Sequence, residues 1–314
     1  TNMVFAPLTH GLMGISLSAN WMWPSKNDGE DSRLYKAVKE ISEFASGLGI
    51  NIPTGKDSLS MTQKYPGGKK ILAPGTVIIS AGAEVSDVRR VILPAVIAEP
   101  KSHFIYIDFA GGDFHLGGSS WAQTKSTLGS QAPDVSVAIL KNAFTAVQLL
   151  IAENLILSGH DVSSGGLITT LLEMNFPNTT GGMNIDLSKL IEPDWIKILF
   201  SEKPSVVLQV TSAAIEKLEG MNLSYFLLGH PTEDRYLRIS KNKETVELAI
   251  DEYRKIWSHT SYLLDRKQTR PTLAEQRFNE YHLQPLTYHF PENFSGTLRS
   301  FEIDLNRKST SGFK

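Results

Sequence analysis

Two short segments of the chain combine the residue types that phosphate and metal chemistry need. Residues 54–58 (TGKDS) place a glycine, a lysine and a serine in close succession, and residues 160–166 (HDVSSGG) bring together a carboxylate, two hydroxyls and two glycines. Glycine allows backbone N–H groups to approach an anion, and carboxylate oxygens are ligands that Mg²⁺ prefers. Together the segments predict a nucleotide site, and hence an ATP-using enzyme or a part of one.

The first segment follows a short apolar run, Ile50–Pro53, which we expect to form a strand that feeds a tight turn at Gly55. In such a turn Lys56 would add positive charge and Ser58 a hydroxyl donor for a phosphate group. The segment lacks the longer glycine-flanked loop of the Walker pattern. The alternative is an ordinary turn at the end of a strand, with a solvated lysine, and both interpretations stay open.

The second segment offers Asp161 as a possible ligand for Mg²⁺ and places Ser163 and Ser164 just before a predicted helix, Gly166–Phe176. The N-terminus of a helix favours phosphate through its free N–H groups and its dipole. Alternatively, one of the two serines merely caps the helix. The neighbouring His160 could act in general acid–base chemistry, or it could satisfy a backbone group.

A third glycine-rich segment, residues 117–120 (GGSS), also precedes a helical stretch. It could bind an anion, but a tight connection from a strand to a helix explains it better. The histidines lack the HExxH spacing or any comparable ligand spacing, so we expect no zinc site.

The positioning elements are predicted from the spacing of apolar residues. One helix should be capped by Asp31 or Ser32 and end at Gly47 or Gly49, and Pro133–Leu157 should form a long amphipathic helix. Further strands are expected at Met13–Trp23, Thr76–Val85, His103–Phe109, Met183–Leu187, Ser205–Val210, Tyr225–Leu228 and Tyr236–Ile239, and a last helix at Asp251–Leu264. Alternating helices and strands indicate an α/β (α+β layered) fold.

Prolines between two strand-like runs mark a boundary near residue 95. We therefore predict a first α/β domain at residues 1–95, a second at residues 96–250, and a tail or linker at residues 251–314, of which residues 265–314 are polar and lack sustained periodicity.

Composition excludes several classes of function. Lys and Arg number 31 against 33 Asp and Glu, so the basic excess of a general nucleic-acid binder is missing. No apolar run reaches the ~18 residues of a membrane span, and the first residues do not resemble a signal peptide, so we expect a cytoplasmic protein. The chain has no cysteine, which excludes a thiol nucleophile.

Five blocks of sequence, in this order, resemble one family. They are LSANWMW (17–23), DGEDSRLYKAVK (28–39), LGINIPTGKDSLSM (48–61), LGGSSWAQ (116–123) and HDVSSGGL (160–167). Their order and spacing over residues 1–245 are similar to the large, single-chain phosphoribosylformylglycinamidine synthases of purine biosynthesis. The resemblance implies aminoimidazole-ribonucleotide-synthetase-like domains, with the N-terminal one partial and the C-terminal one complete.

The resemblance also implies a reaction. In this family ATP activates the amide oxygen of formylglycinamide ribonucleotide as an iminophosphate, and ammonia then displaces phosphate to give the amidine. A C-terminal glutaminase domain supplies the ammonia from glutamine. The synthase region holds two copies of a domain pair, one catalytic and one with an auxiliary site for ADP and Mg²⁺, and this chain resembles the second copy.

Site residues at the auxiliary site follow from the same resemblance. Asn2 and Asp161 match magnesium ligands, and Ser163 matches a nucleotide contact. Ser164 departs from the aspartate that is more usual at its position.

The 54–58 segment matches a region near ATP and substrate in smaller relatives. There Gly55 would lie near the nucleotide, Lys56 would contact phosphate as a catalytic residue, and Ser58 would contact substrate and take part in catalysis.

The resemblance further predicts that the chain is a fragment that ends in a linker and is inactive alone. It would lack the remaining synthase half and the glutaminase domain, which would be its partners. Two alternatives stay open: another ATP-dependent enzyme of the superfamily, such as aminoimidazole ribonucleotide synthetase or selenophosphate synthetase, or a non-catalytic module that binds ADP for structural reasons.

Overall fold

A computed structural model describes residues 1–221 and 223–283 of the chain. The chain divides into two compact units, residues 1–257 and 258–314. No helix in the described ranges is long and apolar enough to cross a membrane. The domain boundary predicted near residue 95 falls inside the first unit and stays a prediction.

Twelve strands and eight helices make up the described part of the chain. The strands are β1 Ser16–Met22, β2 Asn51–Ser58, β3 Thr62–Lys64, β4 Lys70–Leu72, β5 Thr76–Gly82, β6 His103–Asp108, β7 Ile156–Val162, β8 Gly182–Asp186, β9 Ser205–Val210, β10 Tyr225–Thr232, β11 Tyr236–Lys241 and β12 Glu244–Ala249. The helices are α1 Glu30–Leu48, α2 Ser120–Thr124, α3 Val137–Ala152, α4 Gly166–Asn175, α5 Trp195–Phe200, α6 Ser212–Glu219, α7 Ile250–Gln268 and α8 Pro271–Asn279.

A three-stranded sheet forms the N-terminal part of the first unit. Its order is β2-β1-β5, with β1 parallel to β2 and antiparallel to β5. Among the described residues of these three strands only Ala19 is buried. Helix α1 connects β1 to β2 and is followed by Gly49 in the left-handed conformation, which glycine adopts without steric cost. This sheet therefore has little core of its own.

Strands β3 and β4 form a separate antiparallel pair. A seven-stranded sheet, ordered β12-β11-β8-β10-β6-β9-β7, is the largest sheet of the first unit. Its pairs are antiparallel except for β8 and β11. Successive side chains of a strand point to opposite faces. Accordingly, Phe104 and Tyr106 of β6 join one apolar cluster with α4 and α5, and Ile105 and Ile107 join another with α3. The central strands are thus buried on both faces.

In the second unit α8 begins at Pro271, a residue that is pre-organised for the first helical position. The rings of Tyr262 and Phe278 stack with their centroids 4.4 Å apart. One guanidinium nitrogen of Arg277 donates to both carboxylate oxygens of Asp265, at distances of 2.8 and 2.7 Å.

Most of the predicted elements are confirmed, with shifted ends. The first predicted helix begins at Glu30 after Gly29, so neither Asp31 nor Ser32 caps it. The long helix predicted at Pro133–Leu157 is α3, which is shorter at both ends. The mixed α/β fold class is confirmed as well.

The prediction of a turn at Gly55 is wrong: β2 continues through it to Ser58, because Gly55 pairs in register with Ala19 of β1. The tail predicted without regular structure contains α8. The remainder of that tail, residues 284–314, lies outside the described residues.

Candidate nucleotide site

Asp161 lies near the end of β7, at the edge of the seven-stranded sheet. Its side chain is 18% exposed, and one carboxylate oxygen accepts a hydrogen bond from the Thr1 hydroxyl at 3.0 Å. Asn2 follows Thr1 and begins a short 3-10 turn. Thr170 of α4 donates to the backbone carbonyl of Asp161 at 3.1 Å. The structure therefore brings the first residues of the chain and the Asp161 carboxylate together, although they are 160 positions apart.

The turn after β7 is held in a conformation that glycine favours. Gly165 and Gly166 have φ of +90° and +76°, and α4 begins at Gly166. A Cβ atom on Gly166 would lie 2.6 Å from the backbone oxygen of Leu199, so this turn packs tightly against the end of α5. Ser163 and Ser164 are both exposed. No side chain caps α4, so the interpretation of either serine as a capping residue is wrong.

His160 lies between two protein oxygens. Its Nδ1 is 2.8 Å from the carbonyl oxygen of Asp161, and because a carbonyl can only accept, this nitrogen carries a proton. Its Nε2 is 3.5 Å from a carboxylate oxygen of Glu173, whose other oxygen accepts from the indole N–H of Trp257 at 2.9 Å. This arrangement orients the imidazole and matches the alternative in which His160 satisfies a backbone group.

Lys56 and Ser58 lie together on the edge strand β2. The ammonium group of Lys56 donates to the hydroxyl of Ser58 at 3.2 Å and to the carbonyl of Asp57 at 3.0 Å. A Cβ atom on Gly55 would lie 2.1 Å from the backbone oxygen of Ala19, so this glycine is needed for close strand pairing. The lysine is exposed, which leaves its charge available to an anion.

The glycine-rich segment at residues 117–120 forms a connection into the short helix α2, as expected. The hydroxyl of Ser119 accepts from the N–H of Ala122 at 3.2 Å and so caps α2. The N–H of Ser120 donates to a carboxylate oxygen of Glu202 at 2.8 Å, and the N–H of Gly165 donates to the same oxygen at 2.9 Å. Sequence reasoning missed Glu202, because no motif marks it and its partners are backbone groups far away in the chain.

The sequence-predicted site residues thus form two groups, one around Lys56 and one around Asp161. Within residues 1–221 and 223–283, no hydrogen bond or ion pair joins the two groups. That part of the chain also has no cluster of three histidine, aspartate or glutamate side chains able to hold a metal ion.

Two family models match this chain and define the class of protein to which its domains belong. Residues 110–240 match the family model "AIR synthase related protein, C-terminal domain". Residues 1–84 match the "FGAR-AT PurM_N-like domain". The chain therefore carries the two domain types of the aminoimidazole-ribonucleotide-synthetase-related class.

The curated proteins similar to this chain in sequence include large synthases. The chain is 35% identical, over 94% of its length, to the phosphoribosylformylglycinamidine synthase of Homo sapiens, and it covers 22% of that protein. It is also 35% identical, over 88% of its length, to a probable chloroplastic/mitochondrial phosphoribosylformylglycinamidine synthase of Arabidopsis thaliana, of which it covers 20%. The resemblance to this family is confirmed, and the chain spans about a fifth of the length of these relatives.

Solved structures support the fold. T. maritima PurL complexed with FGAR matches 81% of this chain, and 41% of its own, with a TM-score of 0.59 at 14% identity. T. maritima PurL complexed with ATP matches 79% of this chain, and 38% of its own, with a TM-score of 0.54 at 15% identity. At this level of identity the likeness concerns the fold.

Proposed function

We propose that this chain forms part of an ATP-dependent carbon–nitrogen ligase that converts formylglycinamide ribonucleotide to its amidine, with ammonia drawn from glutamine. The single observation that carries this proposal is the 35% identity to human phosphoribosylformylglycinamidine synthase over 94% of the chain. The tight turn that follows Asp161 adds support, because it presents two exposed serines at the start of a ten-residue helix.

Within this function we assign the Asp161 turn to a nucleotide, ADP or ATP, with Mg²⁺. Asp161 would supply a carboxylate to the ion, Asn2 a second oxygen ligand, and Ser163 a contact to the nucleotide. The proximity of Thr1 to Asp161 supports the assignment of Asn2. The bound metal ion would neutralise phosphate charge, and the protein residues would hold the phosphates in place.

Lys56 and Ser58 are proposed to act elsewhere, toward phosphate and substrate. Their mutual hydrogen bond places a positive charge and a hydroxyl donor side by side on an exposed strand. Such a pair can stabilise charge that develops during phosphoryl transfer. Gly55 would contribute by letting the backbone of β2 come close to the nucleotide as well as to β1.

We also propose that the chain divides into domains at residues 1–95 and 96–250 and a linker at residues 251–314, and that the protein is cytoplasmic. The partners would be the other synthase half and a glutaminase domain, which the greater length of the curated relatives supports. The chain would be inactive alone, since a reaction that needs both synthase halves cannot be completed by one.

A second candidate is a module that binds ADP for structural reasons only. It is favoured by the Gly165 N–H, which already donates to Glu202 and so makes the turn rigid before any nucleotide arrives. Both candidates place the nucleotide at Asp161. In the whole enzyme, a structural role predicts that Asp161→Ala lowers stability more than it lowers the rate.

Calorimetric titration of this chain with ADP in the presence of Mg²⁺ tests the assignment of the site. We expect binding that Asp161→Asn weakens by about tenfold or more, because the carboxylate contact to the metal is lost. Asp186→Asn is the matched control, since Asp186 also ends a strand and accepts from a nearby serine, Ser188, at 2.5 Å.

Equal binding by the wild type and Asp161→Asn would contradict the assignment, and so would an equal loss in both variants. Failure of the wild type to bind would contradict a nucleotide site held by this chain alone.

A further inference from the structure

We infer that Glu202 is a positioning residue that couples the loop at residues 109–120, which ends with the first residue of α2, to the turn of the proposed nucleotide site. The inference rests on the proposed function for its meaning. Its structural basis is independent, because it depends only on hydrogen bonds between described residues. Glu202 itself is not assigned a contact to nucleotide.

One oxygen of the Glu202 carboxylate accepts two backbone hydrogen bonds. The donors are the N–H of Ser120, at 2.8 Å, and the N–H of Gly165, at 2.9 Å. Hydrogen bonds to an ionised acceptor are stronger than those between neutral groups. Both donors lie at starts of helices, where a negative charge is favourable. A single side chain thus connects two segments that are 45 residues apart in sequence.

The neighbours of Glu202 hold other points of the same loop. The hydroxyl of Ser201 donates to the carbonyl of His115 at 2.8 Å. The ammonium group of Lys203 donates to the carbonyl of Gly112 and to the carboxylate of Asp108, each at 2.8 Å. Three consecutive side chains therefore fix the loop at three places, but only Glu202 also reaches the Gly165 turn.

This geometry has a consequence for ligand binding. The Gly165 N–H is directed toward Glu202, so the carboxylate fixes the orientation of the peptide that precedes the start of α4. The left-handed conformation of Gly165 and Gly166 then presents Ser163 and Ser164 at the surface. Without the carboxylate, the turn would sample other orientations. Nucleotide binding would then have to select the ordered turn from these orientations, and the apparent affinity would be lower.

Hydrogen–deuterium exchange on the intact chain tests the coupling directly, with peptides that cover residues 112–121 and residues 161–167. We expect Glu202→Gln to accelerate exchange in both peptides, by about threefold to tenfold, because one hydrogen-bond acceptor serves both segments. Ser201→Ala is the matched control. It removes the adjacent contact to His115 and should accelerate exchange in the first peptide only.

Unchanged exchange of residues 161–167 in Glu202→Gln would overturn the inference whether or not the chain binds nucleotide. A further variant, Glu202→Ala, removes the acceptor altogether and should give a larger effect in the same two peptides. If Ser201→Ala accelerates both peptides equally, the coupling belongs to the general packing of the region and the inference is also overturned.

Titration with ADP and Mg²⁺ links the coupling to the proposed site. We expect Glu202→Gln to weaken binding by about fivefold to tenfold, and Ser201→Ala to leave it close to wild type. If Asp161→Asn has no effect on binding, the proposed site is wrong, while the exchange result still decides the coupling. If Asp161→Asn abolishes binding and Glu202→Gln leaves it unchanged, the positioning role is wrong while the proposed site stands.

Discussion

The two larger sheets of the first unit, the three-stranded and the seven-stranded one, differ in how completely their side chains are buried. All six residues of β9, in the seven-stranded sheet, are buried, whereas β5, in the three-stranded sheet, has none that is buried. The same contrast separates the two groups of candidate functional residues. Asp161 accepts a hydrogen bond from Thr1 and lies beside a tightly packed helix. Lys56 lies on an exposed edge strand, where it donates hydrogen bonds to Asp57 and Ser58.

This difference in burial determines whether a substitution gives information about chemistry or about stability. A side chain that the fold does not need is informative about chemistry, because its loss leaves the structure intact. A buried, multiply bonded side chain reports mainly on stability. Lys56 and Ser58 belong to the first kind, and the residues that support the Asp161 turn belong to the second.

The largest effect is expected from a comparison of two lysines. Lys203 is 3% exposed and paired with Asp108, so Lys203→Met should reduce the free energy of unfolding by about 3–5 kcal/mol, since it leaves a buried charge without its partner. Lys56→Met should change it by less than about 0.5 kcal/mol. Urea unfolding of both variants measures the difference. A similar loss in the two would mean that β2 packs more tightly than the structure shows.

A smaller difference is expected between two isoleucines in strands. Ile107 of β6 is fully buried and Ile79 of β5 is 40% exposed. Ile107→Ala should cost about 2–4 kcal/mol through lost burial and the cavity it leaves, and Ile79→Ala about 1 kcal/mol or less. Thermal and urea unfolding test this pair. Equal losses would show that the three-stranded sheet is packed as firmly as the seven-stranded one.

The smallest effect is a pH dependence of stability from Asp87, in the connection between β5 and β6. Hydrogen bonds from Arg89 lower the pKa of Asp87 to about 2. A lowered pKa in the folded state stabilises the protein above the unfolded-state pKa of about 4, and this contribution disappears as the pH falls toward 2.

The stability difference between the wild type and Asp87→Asn should therefore be constant above about pH 4 and shrink at lower pH. Urea titrations at a series of pH values test this, with the exposed Asp28→Asn as a control. A difference that stays constant down to pH 3 would argue against the Asp87–Arg89 interaction in solution.

The helices and buried strands were predictable because their apolar residues recur at a regular spacing. Phe144, Val147 and Ile151 of α3 form one buried stripe, as their positions indicate. The strand Ser205–Val210 has the predicted ends, because it is a continuous run of residues that favour strands between polar segments. Strand β12 was not predicted, although residues 245–248 alternate between polar and apolar, because the run is short and its place is set by antiparallel pairing with β11.

The structure of the Gly55 segment could not be predicted from its residues. Glycine, lysine, aspartate and serine favour turns locally, but pairing with β1 imposes an extended strand, and only the absence of a Cβ atom permits the close approach to Ala19. Glu202 could not be predicted as a connecting residue either, because its two partners are backbone N–H groups whose proximity depends on the packing of three separate segments.

The sequence by itself determined the class of fold, the position of most elements, and the resemblance to the synthase family, because these depend on local spacing and on the order of motifs. The tertiary structure alone decided that Thr1 meets Asp161, that Lys56 lies on a strand rather than in a turn, and that one carboxylate connects two glycine-rich segments. These contacts join residues distant in sequence, and the energy that selects them comes from strand pairing and burial rather than from local preference.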